Sequence, residues 1–167
     1  ELSSLSTRLS RRIQRDGGWW PFDRFMAAAL YEPGLGYYSR GSRQFGLMPA
    51  SGSDFVTAPE LSPLFGRCLA TQLAELMQGS APHLLEAGAG SGRLAADLLR
   101  ELDRIGCPPE SYRILELSAD LRARQRALIE REVPALAGRV DWLDTLPTRF
   151  SGVVFGNELL DALPVER

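Results

Sequence analysis

The feature that most constrains the fold of this 167-residue chain is a short apolar segment that runs into an acid and three alternating glycines. The segment is Leu84-Leu85-Glu86-Ala87, and the glycines are Gly88, Gly90 and Gly92. Glycine permits positive φ angles and has no Cβ, so this spacing predicts a sharp turn where the backbone approaches a bulky ligand. The amphipathic pattern after Gly92 predicts a helix whose first turn presents unpaired N–H groups.

The spacing of the glycines separates two kinds of ligand-binding turn. A dinucleotide fingerprint, G-x-G-x-x-G, would need glycine at position 93, which is Arg93. The run here is E-x-G-x-G-x-G, which is similar to the first motif of class I S-adenosylmethionine (SAM) methyltransferases. We therefore predict SAM as the cofactor, with Gly88, Gly90 and Gly92 at its site. Taken by itself, the motif is also compatible with a purely structural turn.

Composition excludes several other classes of function. A hydrophobic content of 44% and a charged content of 24% are typical of a globular domain. The net charge of −2 gives no sign of a nucleic-acid surface, and no apolar run approaches the roughly 18 residues of a membrane span. Cys68 and Cys107 are isolated and His83 is the only histidine, so we predict no metal site.

Strand and helix patterns alternate from residue 83 onward. This alternation favours right-handed crossovers and a Rossmann-like, doubly wound parallel sheet in an α/β fold. The chain ends just beyond the fourth strand, so we expect the sheet of this domain to be incomplete. The predicted strands lie at 83–87, 112–116, 139–142 and 152–155, and the predicted helices at 92–105 and 118–131.

The first half of the chain has a different pattern, so we predict a helical and loop-rich N-terminal segment over 1–80 and the first half of the SAM-binding domain over 81–167. Helical repeats begin at Leu5 and after Pro21, and residues 34–57 predict a long loop. A further helix begins at Ser62-Pro63 and ends at Gly79. Its predicted inward face comprises Leu61, Leu64, Phe65, Cys68, Leu69, Gln72, Leu73, Leu76 and Met77.

Acidic residues at the strand ends are candidate ligands for the cofactor. Glu116 ends the second strand, where a carboxylate can accept hydrogen bonds from ribose hydroxyls; the alternatives are a solvated charge at the strand end or a cap for the next helix. Glu86 is predicted to face the methionine moiety, or to hold the glycine turn through its backbone N–H groups. Asp144 follows the third strand, where class I methyltransferases often place an acid against the adenine amine. The alternative is that Asp144 only forms a turn, and Asp141 competes for the adenine role.

Two residues after the fourth strand complete the predicted site. Ligands of open α/β sheets bind beyond the carboxyl ends of the strands, so Asn157 and Glu158 are predicted to point into that crevice. The alternative is that they begin a helix, where acids are favoured by the helix dipole.

Four segments carry a resemblance to a known family: F-x-x-F-M-x-x-A-L-Y-x-P-x-x-G-Y-Y over 22–38, D-F-V-T-A-P-E-L-S-P-L-F-G over 54–66, the glycine run, and N-E-L-L-D-A-L-P over 157–164. Through them the sequence resembles the MidA-like family of class I SAM-dependent methyltransferases. The mitochondrial members of this family assist assembly of respiratory complex I as protein-arginine methyltransferases. The resemblance implies that Asp54, Thr57 and Glu60 lie against the cofactor pocket as part of an N-terminal lid.

If the methyl acceptor is arginine, as the resemblance implies, carboxylates are the groups suited to orient the guanidinium and accept its proton. Our candidates are Glu158, then Asp161, then Glu60. The implied partner is a protein, possibly a respiratory complex I subunit, and the implied location is mitochondrial matrix in a eukaryote or cytoplasm in a bacterium. A non-catalytic assembly factor that retains the fold and a nucleotide-dependent oxidoreductase stay open as alternatives.

Overall fold

The computed structural model describes residues 4–38 and 57–166, and the chain divides into two compact units. The first unit contains the described residues up to 38 together with 158–166, and the second contains 57–157. The domain boundary expected after residue 80 stays a prediction.

The first unit is built on two helices, α1 (Leu5–Arg15) and α2 (Phe22–Tyr31), at the positions that the apolar repeats predict. Two charged residues of this unit form an ion pair, in which Arg12 lies 2.6 Å from Glu32. Trp20 is buried, and the Arg12 guanidinium stacks on its ring at 5.0 Å from the centroid. Cation–π stacking and ion pairing therefore connect the two helices.

The second unit contains nine helices and strands among the described residues: α3 (Ala58–Leu61), α4 (Pro63–Gln78), β1 (His83–Ala87), α5 (Arg93–Arg104), β2 (Ser111–Leu115), α6 (Ala119–Glu132), α7 (Pro134–Ala137), β3 (Val140–Leu143) and β4 (Val153–Phe155). The four strands form a parallel sheet in the order β3-β2-β1-β4. Helices connect β1 to β2 and β2 to β3, as right-handed parallel crossovers require. The prediction of an α/β, Rossmann-like sheet is confirmed.

The core of this unit lies around α5, whose apolar residues are almost fully buried. Helix α5 packs against α4 on one side and α6 on another. The same buried cluster also includes Leu73 of α4, Leu84 of β1, Ile114 of β2 and Ile129 of α6. Burying large aliphatic side chains of this kind is the dominant stabilising contribution to such a fold.

The predicted inward face of α4 is wrong in part. Helix α4 begins and ends as predicted, with Ser62 at the N-cap and Gly79 at the C-cap. However, Leu61, Leu64 and Leu76 are 75%, 61% and 55% exposed. The inward residues that the structure selects, besides Leu73 and Met77, are the small Gly66, Ala70 and Ala74.

Close packing of α4 against α5 explains why small residues of α4 are among the buried ones. A Cβ at Gly66 would lie 2.9 Å from the Asp97 Cβ of α5, so only glycine permits this approach. Apolar residues cover more of α4 than one neighbouring helix can bury, and periodicity alone does not identify which side faces the neighbour.

No helix in the described ranges is long and apolar enough to cross a membrane.

Candidate cofactor site at the carboxyl edge of the sheet

The glycine run forms the turn between β1 and α5. Gly88, Gly90 and Gly92 have φ angles of 70°, 54° and 84°, all in the left-handed region that glycine adopts without strain. Gly92 is the N-cap of α5, and the Gly88 N–H donates to the Leu115 carbonyl at 3.1 Å. The turn therefore starts at the carboxyl end of β1, at the point where the strand order reverses between β2 and β4. Such a switch point is where ligands bind in open α/β sheets.

Glu116 leaves the neighbouring strand at the same level as this turn. Ala87 pairs with Leu115 in the sheet, so Gly88 and Glu116 are the first residues beyond two adjacent strands. Glu116 Oε1 accepts a hydrogen bond from the Ser118 N–H at 2.9 Å, which is the capping role that the sequence left open. Among the described residues, the other oxygen, Oε2, has a single contact, at 3.4 Å from Gln125 Nε2. A carboxylate accepts about four hydrogen bonds, so Glu116 retains acceptor capacity beside its capping role.

Glu86 is 1% exposed, and its Oε2 accepts a hydrogen bond from the Tyr112 hydroxyl at 2.6 Å. Burial raises the pKa of Glu86 to about 7, while the Tyr112 hydrogen bond acts in the opposite direction. This side chain is therefore held by β2, the adjacent strand. Its predicted place against a methionine moiety stays a prediction.

Asp144 lies one residue beyond the end of β3 and is largely exposed. Its Oδ1 accepts a hydrogen bond from Arg122 Nη2 at 2.6 Å, and the same Arg122 nitrogen donates to the Leu143 carbonyl at 3.0 Å. The competing Asp141 lies within β3, where it pairs with Arg113. Asp144 is therefore the acid at the carboxyl edge of the sheet, whereas Asp141 lies three residues before it.

The short helix α3 brings an acid against the glycine turn. Glu60 Oε1 accepts a hydrogen bond from the Ser91 hydroxyl, and Ser91 Oγ in turn accepts the Arg93 N–H at 3.1 Å. Thr57 is the N-cap residue of α3, half-buried, and makes no side-chain cap hydrogen bond. Asp54 lies outside the described residues.

The residues after β4 belong to two different units. Asn157 is half-buried and follows β4, which pairs with β1 in the second unit. Glu158 and Asp161 are exposed residues of the first unit, and Glu158 has a φ of 52°. Asp161 lies in a 3₁₀ turn over Leu160–Ala162. The roles proposed for these two carboxylates stay predictions.

Two residues of α6 that the sequence analysis did not select contact this edge of the sheet. Arg122 donates to the Glu116 carbonyl as well as to Leu143 and Asp144, and therefore holds the ends of β2 and β3 together. Gln125 is fully buried although it is polar. Helical spacing could have predicted this burial. Gln125 lies four residues after Leu121 and four before Ile129, and therefore on the apolar side of the helix.

Arg93, which stands where a dinucleotide fingerprint has glycine, has a structural role here. Its guanidinium forms two parallel hydrogen bonds to Glu132, at 2.6 and 2.9 Å. These bonds, together with those from Arg131 and Arg100, lower the pKa of Glu132 to about 2. The bidentate pair connects the start of α5 to the end of α6, so position 93 secures the helix after the turn.

The strand order, the glycine turn and the acid after β2 together define a Rossmann-like domain of the class I methyltransferase type. A family model described as "Putative S-adenosyl-L-methionine-dependent methyltransferase" matches residues 64–167, and the chain belongs to that family. The resemblance of the sequence to the MidA-like family of methyltransferases is thereby confirmed.

Curated relatives and solved structures agree with this assignment. A Caenorhabditis elegans protein named "Protein arginine methyltransferase NDUFAF7 homolog, mitochondrial" is 28% identical over 164 residues, and the Danio rerio protein arginine methyltransferase NDUFAF7, also mitochondrial, is 29% identical over 169. Each alignment covers 86% of this chain, but only 38% and 39% of the relative.

A solved structure matches over almost the whole chain. The crystal structure of a COG1565 superfamily member from Burkholderia thailandensis, bound to S-adenosyl-homocysteine, aligns with a TM-score of 0.90 and 52% identity. The alignment covers 96% of this chain and 42% of that protein. The chain thus spans about two-fifths of the length of the proteins it matches.

Proposed function

We propose that this protein is a SAM-dependent methyltransferase and that residues 57–157 supply one part of its cofactor site. The observation that carries the proposal is the left-handed glycine turn after β1 with the Glu116 carboxylate one strand away. Membership in the methyltransferase family and the S-adenosyl-homocysteine in the Burkholderia thailandensis protein support it.

The described residues fit a cofactor that carries an adenosine. Glu116 keeps acceptor capacity for two vicinal ribose hydroxyls, because within the described part of the chain one oxygen takes a single short bond and the other a 3.4 Å contact. In our proposal the glycine turn lies along the cofactor, Asp144 accepts from the adenine amine, and Asn157, Thr57 and Asp54 border the pocket. Glu86 contributes on the methionine side.

SAM, when bound, supplies a methyl group activated by the neighbouring sulfonium. Much of the rate enhancement in such a displacement comes from holding donor and acceptor at near-attack distance. The acceptor we propose is an arginine of a protein partner, as the names of the curated relatives suggest. An arginine must be oriented and relieved of a proton, and the carboxylates of Glu158, Asp161 and Glu60 are our candidates, in that order.

The partner and the compartment follow from the resemblance and from the names of the relatives. A subunit of respiratory complex I stays a prediction that follows from the resemblance. The curated relatives are named as mitochondrial proteins, whereas the solved structure comes from a bacterium. We therefore expect a matrix location if the source is eukaryotic and a cytoplasmic one if it is bacterial.

A calorimetric titration with S-adenosyl-homocysteine (SAH), on the full-length protein that contains this chain, tests the proposal. We expect SAH to bind and NAD not to bind, and Glu116→Ala to abolish SAH binding. Glu130→Ala is the matched control, since Glu130 is an exposed acid on α6. Binding of NAD in preference to SAH would revive the oxidoreductase alternative.

Turnover needs a second assay, because an intact pocket does not guarantee catalysis. Transfer of radiolabelled methyl from SAM to a protein arginine would support the enzyme. SAH binding without transfer to any protein would favour the non-catalytic assembly factor.

A further inference from the structure

We infer that Gln125 is a positioning residue that holds the glycine turn, Glu116 and β3 in one hydrogen-bonded arrangement and thereby sets the affinity for the adenosine part of the cofactor. This inference deepens the proposed function and rests on it. Gln125 has no proposed contact with the cofactor, so its effect is exerted through Gly90, Glu116 and Trp142.

The side-chain amide of Gln125 contacts three different segments. Its Nε2 donates to the Gly90 carbonyl at 2.9 Å and lies 3.4 Å from Glu116 Oε2. Its Oε1 accepts the indole N–H of Trp142 at 2.8 Å. The three partners come from the turn after β1, the residue after β2 and strand β3, which are the three adjacent parts of the proposed adenosine side.

The chemistry of the partners determines the orientation of this amide. An indole N–H only donates and a backbone carbonyl only accepts, so Oε1 must face Trp142 and Nε2 must face Gly90. The second hydrogen of Nε2 is then available to Glu116. All the polar groups of this fully buried side chain thus have partners. A reversed amide would leave acceptor facing acceptor and donor facing donor.

Helix α6 lies close to the glycine turn at Gln125. A Cβ at Gly92 would lie 3.1 Å from Gln125 Cγ and 3.2 Å from its Cα, so α6 approaches the turn closely at this point. The amide therefore bridges two acceptors, the Gly90 carbonyl and the Glu116 carboxylate, whose mutual repulsion would otherwise favour their separation. Loss of the amide should let Glu116 and the turn change position relative to each other.

The test is SAH affinity in the full-length protein carrying Gln125→Met, which keeps the length of the side chain and removes its hydrogen bonds. We expect SAH to bind about tenfold more weakly, consistent with the loss of one or two buried hydrogen bonds. The control is Gln72→Met, the same change at an exposed position of α4, which should leave affinity unchanged.

A double-mutant cycle with Glu116→Gln separates positioning from general stability. If Gln125 acts through Glu116, the affinity losses of Gln125→Met and Glu116→Gln will be less than multiplicative in the double variant. Multiplicative losses, or a Gln125→Met protein that melts earlier but binds SAH as the wild type does, would overturn the inference. Absence of SAH binding by the wild type would instead reject the proposed function, and the inference with it.

A milder variant covers the case in which Gln125→Met does not fold. Trp142→Phe keeps an aromatic side chain but removes the indole N–H that orients the amide, together with part of the ring system, so we expect SAH to bind about threefold to tenfold more weakly. Trp19→Phe, at a 73% exposed tryptophan, is its control. Unchanged affinity in Trp142→Phe would contradict the role of the Trp142–Gln125 bond.

Discussion

The Tyr112 hydroxyl donates a 2.6 Å hydrogen bond to the Glu86 carboxylate, and both side chains are fully shielded from solvent on neighbouring strands. An isolated buried carboxylate is costly, because the interior solvates charge poorly. One hydroxyl only partly compensates for that cost, so the pKa of Glu86 rises to about 7. The proposed cofactor site therefore contains a carboxyl group that titrates near neutral pH.

This titration predicts how stability depends on pH. The pKa of Glu86 is about 7 in the folded protein against 4.5 for the free group, so the folded state binds the proton more tightly. The stability that this proton provides is complete below about pH 4.5 and is lost as the pH rises to about 7. Relative to Glu86→Gln, the wild type should lose about 3 kcal/mol over that range.

Urea unfolding of both proteins between pH 4.5 and pH 8 measures this difference. Tyr112→Phe provides a second check, because removal of the hydroxyl should raise the pKa of Glu86 further and shift the transition to higher pH. Parallel stability curves for the wild type and Glu86→Gln would contradict the assignment.

Gly152 should tolerate no side chain. Its φ is 137°, and a Cβ there would lie 2.2 Å from the His83 carbonyl oxygen, at the start of β1. We expect Gly152→Ala to lower the free energy of unfolding by about 3 kcal/mol or more, because backbone strain and a backbone clash coincide. Chemical denaturation of the wild type and Gly152→Ala measures this change in the free energy of unfolding.

Substitutions at two other glycines measure the backbone strain and the steric clash separately. Gly106 has a φ of 75° and open space around it, so Gly106→Ala should cost only the strain, about 1 kcal/mol. Gly138 has open space and no positive φ, so Gly138→Ala should be neutral or slightly stabilising. Equal effects at all three positions would refute the steric argument.

The position of Asp144 beyond β3 predicts which acid contributes to adenine binding. We expect Asp144→Ala to weaken SAH binding about threefold to tenfold, since one accepting group is lost. Asp141→Ala, within the strand, should bind SAH as the wild type does. Calorimetric titration of both variants with SAH measures the difference. A larger loss of SAH affinity in Asp141→Ala than in Asp144→Ala would transfer the adenine role to Asp141.

Glu158 should affect turnover more than cofactor binding. We expect Glu158→Gln to slow methyl transfer about 100-fold, because a neutral amide cannot accept the proton or stabilise the guanidinium charge. SAH affinity should stay unchanged, and Glu166→Gln, an exposed acid of the same unit, should transfer methyl normally. Wild-type transfer by Glu158→Gln would remove Glu158 from the mechanism and move attention to Asp161 and Glu60.

Much of the fold could be read from local patterns. The alternation of strands and helices, the glycine turn, the Ser62 and Ser118 caps and the start of α2 after Pro21 all agree with the structure. These features depend on residues within a few positions of one another, and backbone φ preference, capping and periodicity act at that range.

Other features became visible only in three dimensions. The buried face of α4 depends on how closely α5 approaches, through Gly66 and Asp97. The contacts of Arg122 with Glu116, Leu143 and Asp144 depend on how α6 lies against the ends of β2 and β3. Each is decided by the packing of segments far apart in the chain.

The sequence by itself determined the parallel α/β class, the turn after β1 and the family, because each is encoded in consecutive residues with few physical alternatives. Tertiary structure alone decided that Gln125 joins Gly90, Glu116 and Trp142, and that Arg93 holds Glu132. A polar side chain on a helix becomes a structural link only when the fold buries it among partners of matching chemistry, and those partners are 9 to 39 residues away.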